Sequence, residues 1–95
     1  DNYVLVGVLD LLVGGSVVAD YKTGRRNNKD KFDINYYQYL VESDKWGYVF
    51  YVDESLQLKD ALPVKPLTIE IVKDIETRID ELVDFLELYF RDELI

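Results

Sequence analysis

The chain has 95 residues, 48% hydrophobic and 32% charged, a balance that suits one small folded domain and leaves no room for a second. It contains no cysteine and no histidine, which excludes disulfide frameworks, thiolate or imidazole metal sites and histidine acid–base catalysis. The net charge of -8 argues against a nucleic-acid partner, but the charge is uneven: residues 20–35 carry five basic residues against three acids, and residues 68–95 carry three against nine.

Tyr3 to Val13 is an apolar run interrupted only by Asp10 and reads as a strand covered on both faces. Gly14-Gly15-Ser16 marks a turn, and Val17 to Tyr21 resumes as a second strand, so the pair is expected to form an antiparallel hairpin. A two-residue Gly14-Gly15 loop would pair Asp10 with Ala19, whereas a three-residue loop would pair Val13 with Val17 and Asp10 with Asp20. The glycines favour the second register. Thr23 to Lys31 reads as a polar loop.

Asp33 is placed as the N-cap of a helix from Ile34 to about Glu42, with Ile34, Tyr37, Leu40 and Val41 on its buried side. Trp46 to Val52 follows as an aromatic and β-branched strand. Pro63 and Pro66 exclude a central strand between Leu56 and Leu67, leaving a loop or an edge strand. Thr68 is the expected N-cap of a last helix, Ile69 to Phe90, whose apolar stripe includes Val72, Ile75, Ile79 and Leu86. The expected fold class is therefore α/β, a small mixed sheet with flanking helices in the order β-β-α-β-α. No apolar stretch approaches the length of a membrane span, and the first residues lack the pattern of a signal peptide, so a cytoplasmic location is expected.

The chemistry concentrates in the hairpin. Asp20 and Lys22, two apart on a strand, point to one face while Tyr21 points to the other. Two carboxylates brought together at Asp10 and Asp20 require compensation, and a hard divalent ion such as Mg²⁺ or Mn²⁺ supplies it, with the backbone carbonyl of Tyr21 as a further oxygen ligand. Such an ion acidifies bound water and neutralises charge on a phosphate, while Lys22 positions the water and steadies the developing negative charge.

Gly7-Val8-Leu9-Asp10 followed by Asp20-Tyr21-Lys22-Thr23-Gly24 resembles the G-x-x-D and D-Y-K-T-G motifs of PD-(D/E)XK nucleases. The similarity is to the branch containing the RecB nuclease domain, CRISPR-associated adaptation nucleases and phage exonucleases, and Gln38 resembles the glutamine of its third motif. The resemblance spans roughly Tyr3 to Val52. It implies a restriction-endonuclease-like core, a metal site at Asp10 and Asp20, catalytic roles for Asp10, Asp20, Lys22 and Gln38, and hydrolysis of DNA in recombination, repair or phage DNA processing.

Arg25, Arg26, Lys29 and Lys31 are the expected DNA contacts. Tyr36, Tyr37, Tyr39, Tyr48 and Tyr51 are weighed as base-stacking platforms against packing under the helix. Two positions depart from the branch. Its acidic residue on a helix before the first strand has no counterpart here, which suggests a fragment of a larger nuclease, or a core completed by another polypeptide or copy. A tyrosine often follows the glutamine by four residues, where this chain has Glu42. Two rival readings are a nuclease fold kept only as a module that binds protein or DNA, and a different Mg²⁺ phosphohydrolase acting on small phosphoesters.

Overall fold

The computed structural model describes residues 11–94, with the side chains of Leu11, Val13 and residues 92–94 left aside. The elements are β1 (Leu11–Val13 as described), β2 (Val17–Thr23), α1 (Lys31–Leu40), β3 (Gly47–Val52), β4 (Leu58–Val64) and α2 (Ile69–Leu94). They fall into two units, residues 11–67 and residues 68–94, each considered by itself.

The first unit is a four-stranded mixed sheet in the order β1-β2-β3-β4. β1 runs antiparallel to β2, β2 parallel to β3, and β3 antiparallel to β4. The expected element order is therefore extended by one strand, β4. Pro63 lies within it opposite Tyr48, and β4 is an edge, where a missing N–H removes no hydrogen bond from the sheet.

The hairpin adopts the three-residue loop: Val13 pairs with Val17 and Leu11 with Ala19, while Gly14 and Gly15 hold φ values of 61° and 76°. Those left-handed values are what a side chain resists and glycine accepts. Asp10 lies outside the described residues.

α1 connects the parallel strands and packs on one face of the sheet. Alternation along β2 turns Val18, Asp20 and Lys22 toward that face, and the register sets Asp20 beside Val49 and Lys22 beside Tyr51. Val18, Ile34, Val49, Tyr51, Leu62 and Val64 form the core there, with Tyr37 and Val41 packed against it. Gly47 lets α1 approach: a Cβ at this position would collide with Ile34 Cγ2 and stand 3.1 Å from the Val18 carbonyl oxygen and 3.3 Å from Gln38 Nε2. The opposite face carries Tyr21, Tyr48 and Phe50. Tyr48 stacks on Phe50 with centroids 5.9 Å apart, and Tyr21 meets the same ring at 6.0 Å.

Both ends of α1 differ from expectation. The polar loop tightens into a 3-10 turn, Asn28–Asp30, capped by Asn27 Oδ1, which accepts from the Lys29 amide at 2.9 Å. That turn leads directly into α1, so Asp30 and not Asp33 occupies the cap position, and Asp33 sits in the first helical turn. At the other end Glu42 N donates to Tyr39 O at 3.2 Å and Ser43 N to Gln38 O at 2.9 Å, with Glu42 at φ 54°. This is a Schellman stop. α1 therefore ends at Leu40, short of the expected end at about Glu42, and the position four residues after Gln38 lies past the helix.

α2, taken by itself, begins as expected: Thr68 Oγ1 accepts from the Ile71 amide at 3.2 Å and Thr68 O from the Val72 amide at 3.0 Å. Glu70 occupies the first turn, Arg91 the last, and Arg78 pairs with Asp74 at 3.1 Å across one turn. Among the described residues no helix is long and apolar enough to cross a membrane.

Candidate functional site

The parallel strands β2 and β3 end at the side of the sheet where α1 begins, a position at which α/β folds commonly hold ligands. There, on the α1 face, Lys22 Nζ stands 3.2 Å from Asp20 Oδ2 and 3.2 Å from Asp33 Oδ2. Side-chain exposure rises from 17% at Asp20 through 29% at Lys22 to 59% at Asp33, so the cluster runs from the sheet out to solvent. Partial burial pulls the Lys22 pKa down, but hydrogen bonds to Asp20 and Asp33 and the attraction of their charges outweigh it, and the net movement is upward from 10.5. The amine is an ammonium throughout the physiological range.

Asp20 and Lys22 thus share the face that alternation assigns them. The Tyr21 side chain lies on the other face, half exposed against Phe50, so only its backbone stands between Asp20 and Lys22. Among the described residues no three acidic side chains converge as a metal cage. The second carboxylate expected at the site, Asp10, lies outside the described residues.

Gln38 is not brought to this cluster. It is fully buried, and its Nε2 donates to the carbonyls of Lys45 at 3.1 Å and Lys65 at 3.3 Å, tying α1 to the chain before β3 and after β4. It sits at the level of Gly47 and Val18, whereas Lys22 lies four residues further along β2, roughly 13 Å on at strand spacing. At that level its amide serves the interior of the fold.

The basic loop divides into two groups. Arg26 is engaged by β4: Nη1 donates to the Ala61 carbonyl at 3.2 Å and lies 3.5 Å from Asp60 Oδ1. Arg25, Lys29 and Lys31 are exposed, with Lys31 Nζ 5.4 Å from the Phe32 ring centroid. An open cavity of about 520 Å³, lined by Thr23, Gly24, Asp53, Ser55 and Lys59 among others, follows Lys22 at the carboxyl ends of the parallel pair.

Tyr51 anchors the loop. Its hydroxyl donates to Asp30 Oδ2 at 2.6 Å and accepts from the Asn27 amide at 3.1 Å, with the Asn27 carbonyl at 3.2 Å. The side chain is 1% exposed, so of the two uses weighed for this tyrosine, packing under the helix is the one found. Burial first, then the hydrogen bond to Asp30, push its pKa up from 10.0, against smaller lowering by the Asn27 backbone and Arg26.

A pH dependence follows. Tyr51 and Lys22 both hold their protons more tightly in the folded chain, so their stabilisation is complete below the unfolded values near 10 and is lost as pH rises through the folded ones. The melting temperature should fall on going from pH 8 to pH 11, and less steeply in a Tyr51→Phe variant, as thermal unfolding followed by circular dichroism would record. An equal fall in both proteins would remove Tyr51 from the explanation.

Asp33 is the polar residue whose expected role, the helix N-cap, differs from the one found, and Asp30 had no expected role beyond the polar loop. Asp33 carried the composition of a cap, and nothing local distinguishes a cap from a partner for a lysine eleven residues earlier. No family model matches the chain, and neither a curated protein nor a solved structure matches it.

Proposed function

We propose that the chain forms the core of a metal-dependent nuclease of the PD-(D/E)XK type that hydrolyses DNA phosphodiesters. The observation that carries this reading is the 3.2 Å pairing of Asp20 with Lys22 on one face of β2, at the carboxyl end of a parallel strand pair and beside a basic loop. The hairpin register supports it too, since Leu11 opposite Ala19 is the alignment that an Asp10–Asp20 partnership requires at the next pair.

The donor chemistry fits a hard cation. Asp20 presents a partly buried carboxylate, imidazole and thiolate ligands are absent from the composition, and Asp10 with the Tyr21 carbonyl would complete an oxygen set. When bound, Mg²⁺ or Mn²⁺ would supply charge neutralisation at the scissile phosphate and a more acidic water. Lys22, kept charged by its two carboxylates, would hold the attacking water and balance the charge that grows on the phosphate. Arg25, Lys29 and Lys31 would meet the DNA backbone, and Arg26 would keep the loop seated on β4.

A second reading has its own support. The burial of Gln38 and the helix stop at Glu42 leave two positions of the branch's third motif without an active role, as in a nuclease fold retained as a binding module.

The two readings separate in one assay. End-labelled single- and double-stranded DNA is incubated with the purified chain in Mg²⁺, Mn²⁺ or EDTA, and the products are resolved on a denaturing gel. The nuclease reading expects fragments only with metal. Intact DNA at micromolar protein, with retained DNA binding, establishes the module instead.

A further inference from the structure

Lys22 is shared between two elements. Asp20 holds it from within β2, and Asp33 reaches it from the first turn of α1, eleven residues away and at the same 3.2 Å. One ammonium between two carboxylates leaves the trio with a net negative charge, and Asp33 is its outermost member, 59% exposed. A helix's first turn favours an acid, so Asp33 is stable there with or without the lysine.

Asp20 cannot satisfy the ammonium and a divalent cation equally, because cations that share one carboxylate repel each other. A lysine with Asp20 as its sole partner would compete with the ion. With Asp33 present, the ammonium can shift its bonds outward and remain close by. We propose that Asp33 is a positioning residue that takes over the Lys22 ammonium when Asp20 binds a divalent cation, keeping the lysine beside the site while the carboxylate is released to the ion. The proposal rests on the reading of Asp20 as a metal ligand. It assigns Asp33 a task that neither capping nor a surface ion pair requires.

The test is Mn²⁺ binding by the full chain, measured by calorimetry without DNA. Six proteins are compared: wild type, Asp33→Asn, Asp33→Glu, Lys22→Met, the Asp33→Asn/Lys22→Met double variant and Asp20→Asn, with circular dichroism confirming that each is folded. Asp33→Asn should weaken Mn²⁺ affinity about tenfold when Lys22 is present, but only about twofold in the Lys22→Met background, where just one exposed charge is lost. Asp33→Glu should restore most of the affinity. Equal factors in the two backgrounds would show that Asp33 acts only as a distant charge and would overturn the proposal while leaving the metal site standing. Binding that is absent from the wild type, or indifferent to Asp20→Asn, would instead remove the metal reading itself.

Discussion

Replacing Asp20 by asparagine is expected to lower Mg²⁺-dependent DNA cleavage by roughly a thousandfold while leaving the chain folded. The amide keeps the size and one oxygen of the carboxylate but loses the charge that would draw a divalent ion to β2. Lys22 retains Asp33 as a partner at 3.2 Å, so the variant leaves no ammonium stranded. Loss of a partly exposed ion pair is worth up to about 1 kcal/mol, which for a domain of this size lowers the melting temperature by no more than about 8 °C. Gel-based cleavage rates and a thermal melt, run on the same preparations, check both halves. Cleavage at the wild-type rate in the folded variant would end the nuclease reading, because that reading assigns the metal to Asp20.

Tyr51→Ala is expected to have the largest effect on stability, about 3–5 kcal/mol, a large share of the roughly 5–14 kcal/mol that a chain this small has in total. Its ring is in the core with Ile34, Val49 and Leu62, and its hydroxyl is the joint between β3 and the 3-10 turn that starts α1. Tyr51→Phe separates the two contributions. It keeps the ring and leaves the Asp30 carboxylate and the Asn27 amide without their phenol partner, a loss of about 1–3 kcal/mol. Urea unfolding followed by tryptophan fluorescence reads both variants, through Trp46. If Tyr51→Phe is as stable as the wild type, water replaces the hydroxyl and the turn is held by its own hydrogen bonds. The phenylalanine variant should also loosen residues 25–31 and so weaken DNA binding without touching Asp20 or Lys22.

Local patterns were enough for the parts of the fold that local physics controls. Gly14 and Gly15 set the hairpin register, since a three-residue loop with left-handed glycines admits one alignment of Val13 and Val17. Thr68 marks the start of α2 through its own hydroxyl. The alternation of Asp20, Tyr21 and Lys22 places two of them on one face wherever the strand lies. The edge strand β4 was legible as one of two alternatives, because Pro63 excludes only a central position.

Contacts between distant residues are a different matter. The composition of Asp33 suits a cap and that of Arg26 a DNA contact, and neither announces the partners they meet eleven and 35 residues away. Gln38 matched a motif position, and its amide proved to serve the carbonyls of Lys45 and Lys65 in the interior. What the amino-acid order determined alone is the hairpin, β3, the two helices and the side of β2 on which Asp20 and Lys22 stand, because strand periodicity and turn geometry act over a few residues. Only the tertiary structure decided that α1 covers that side, bringing Asp33 to Lys22 and carrying Gln38 away from it. Such contacts depend on how a crossover helix returns to the sheet, and no short pattern in the chain encodes that.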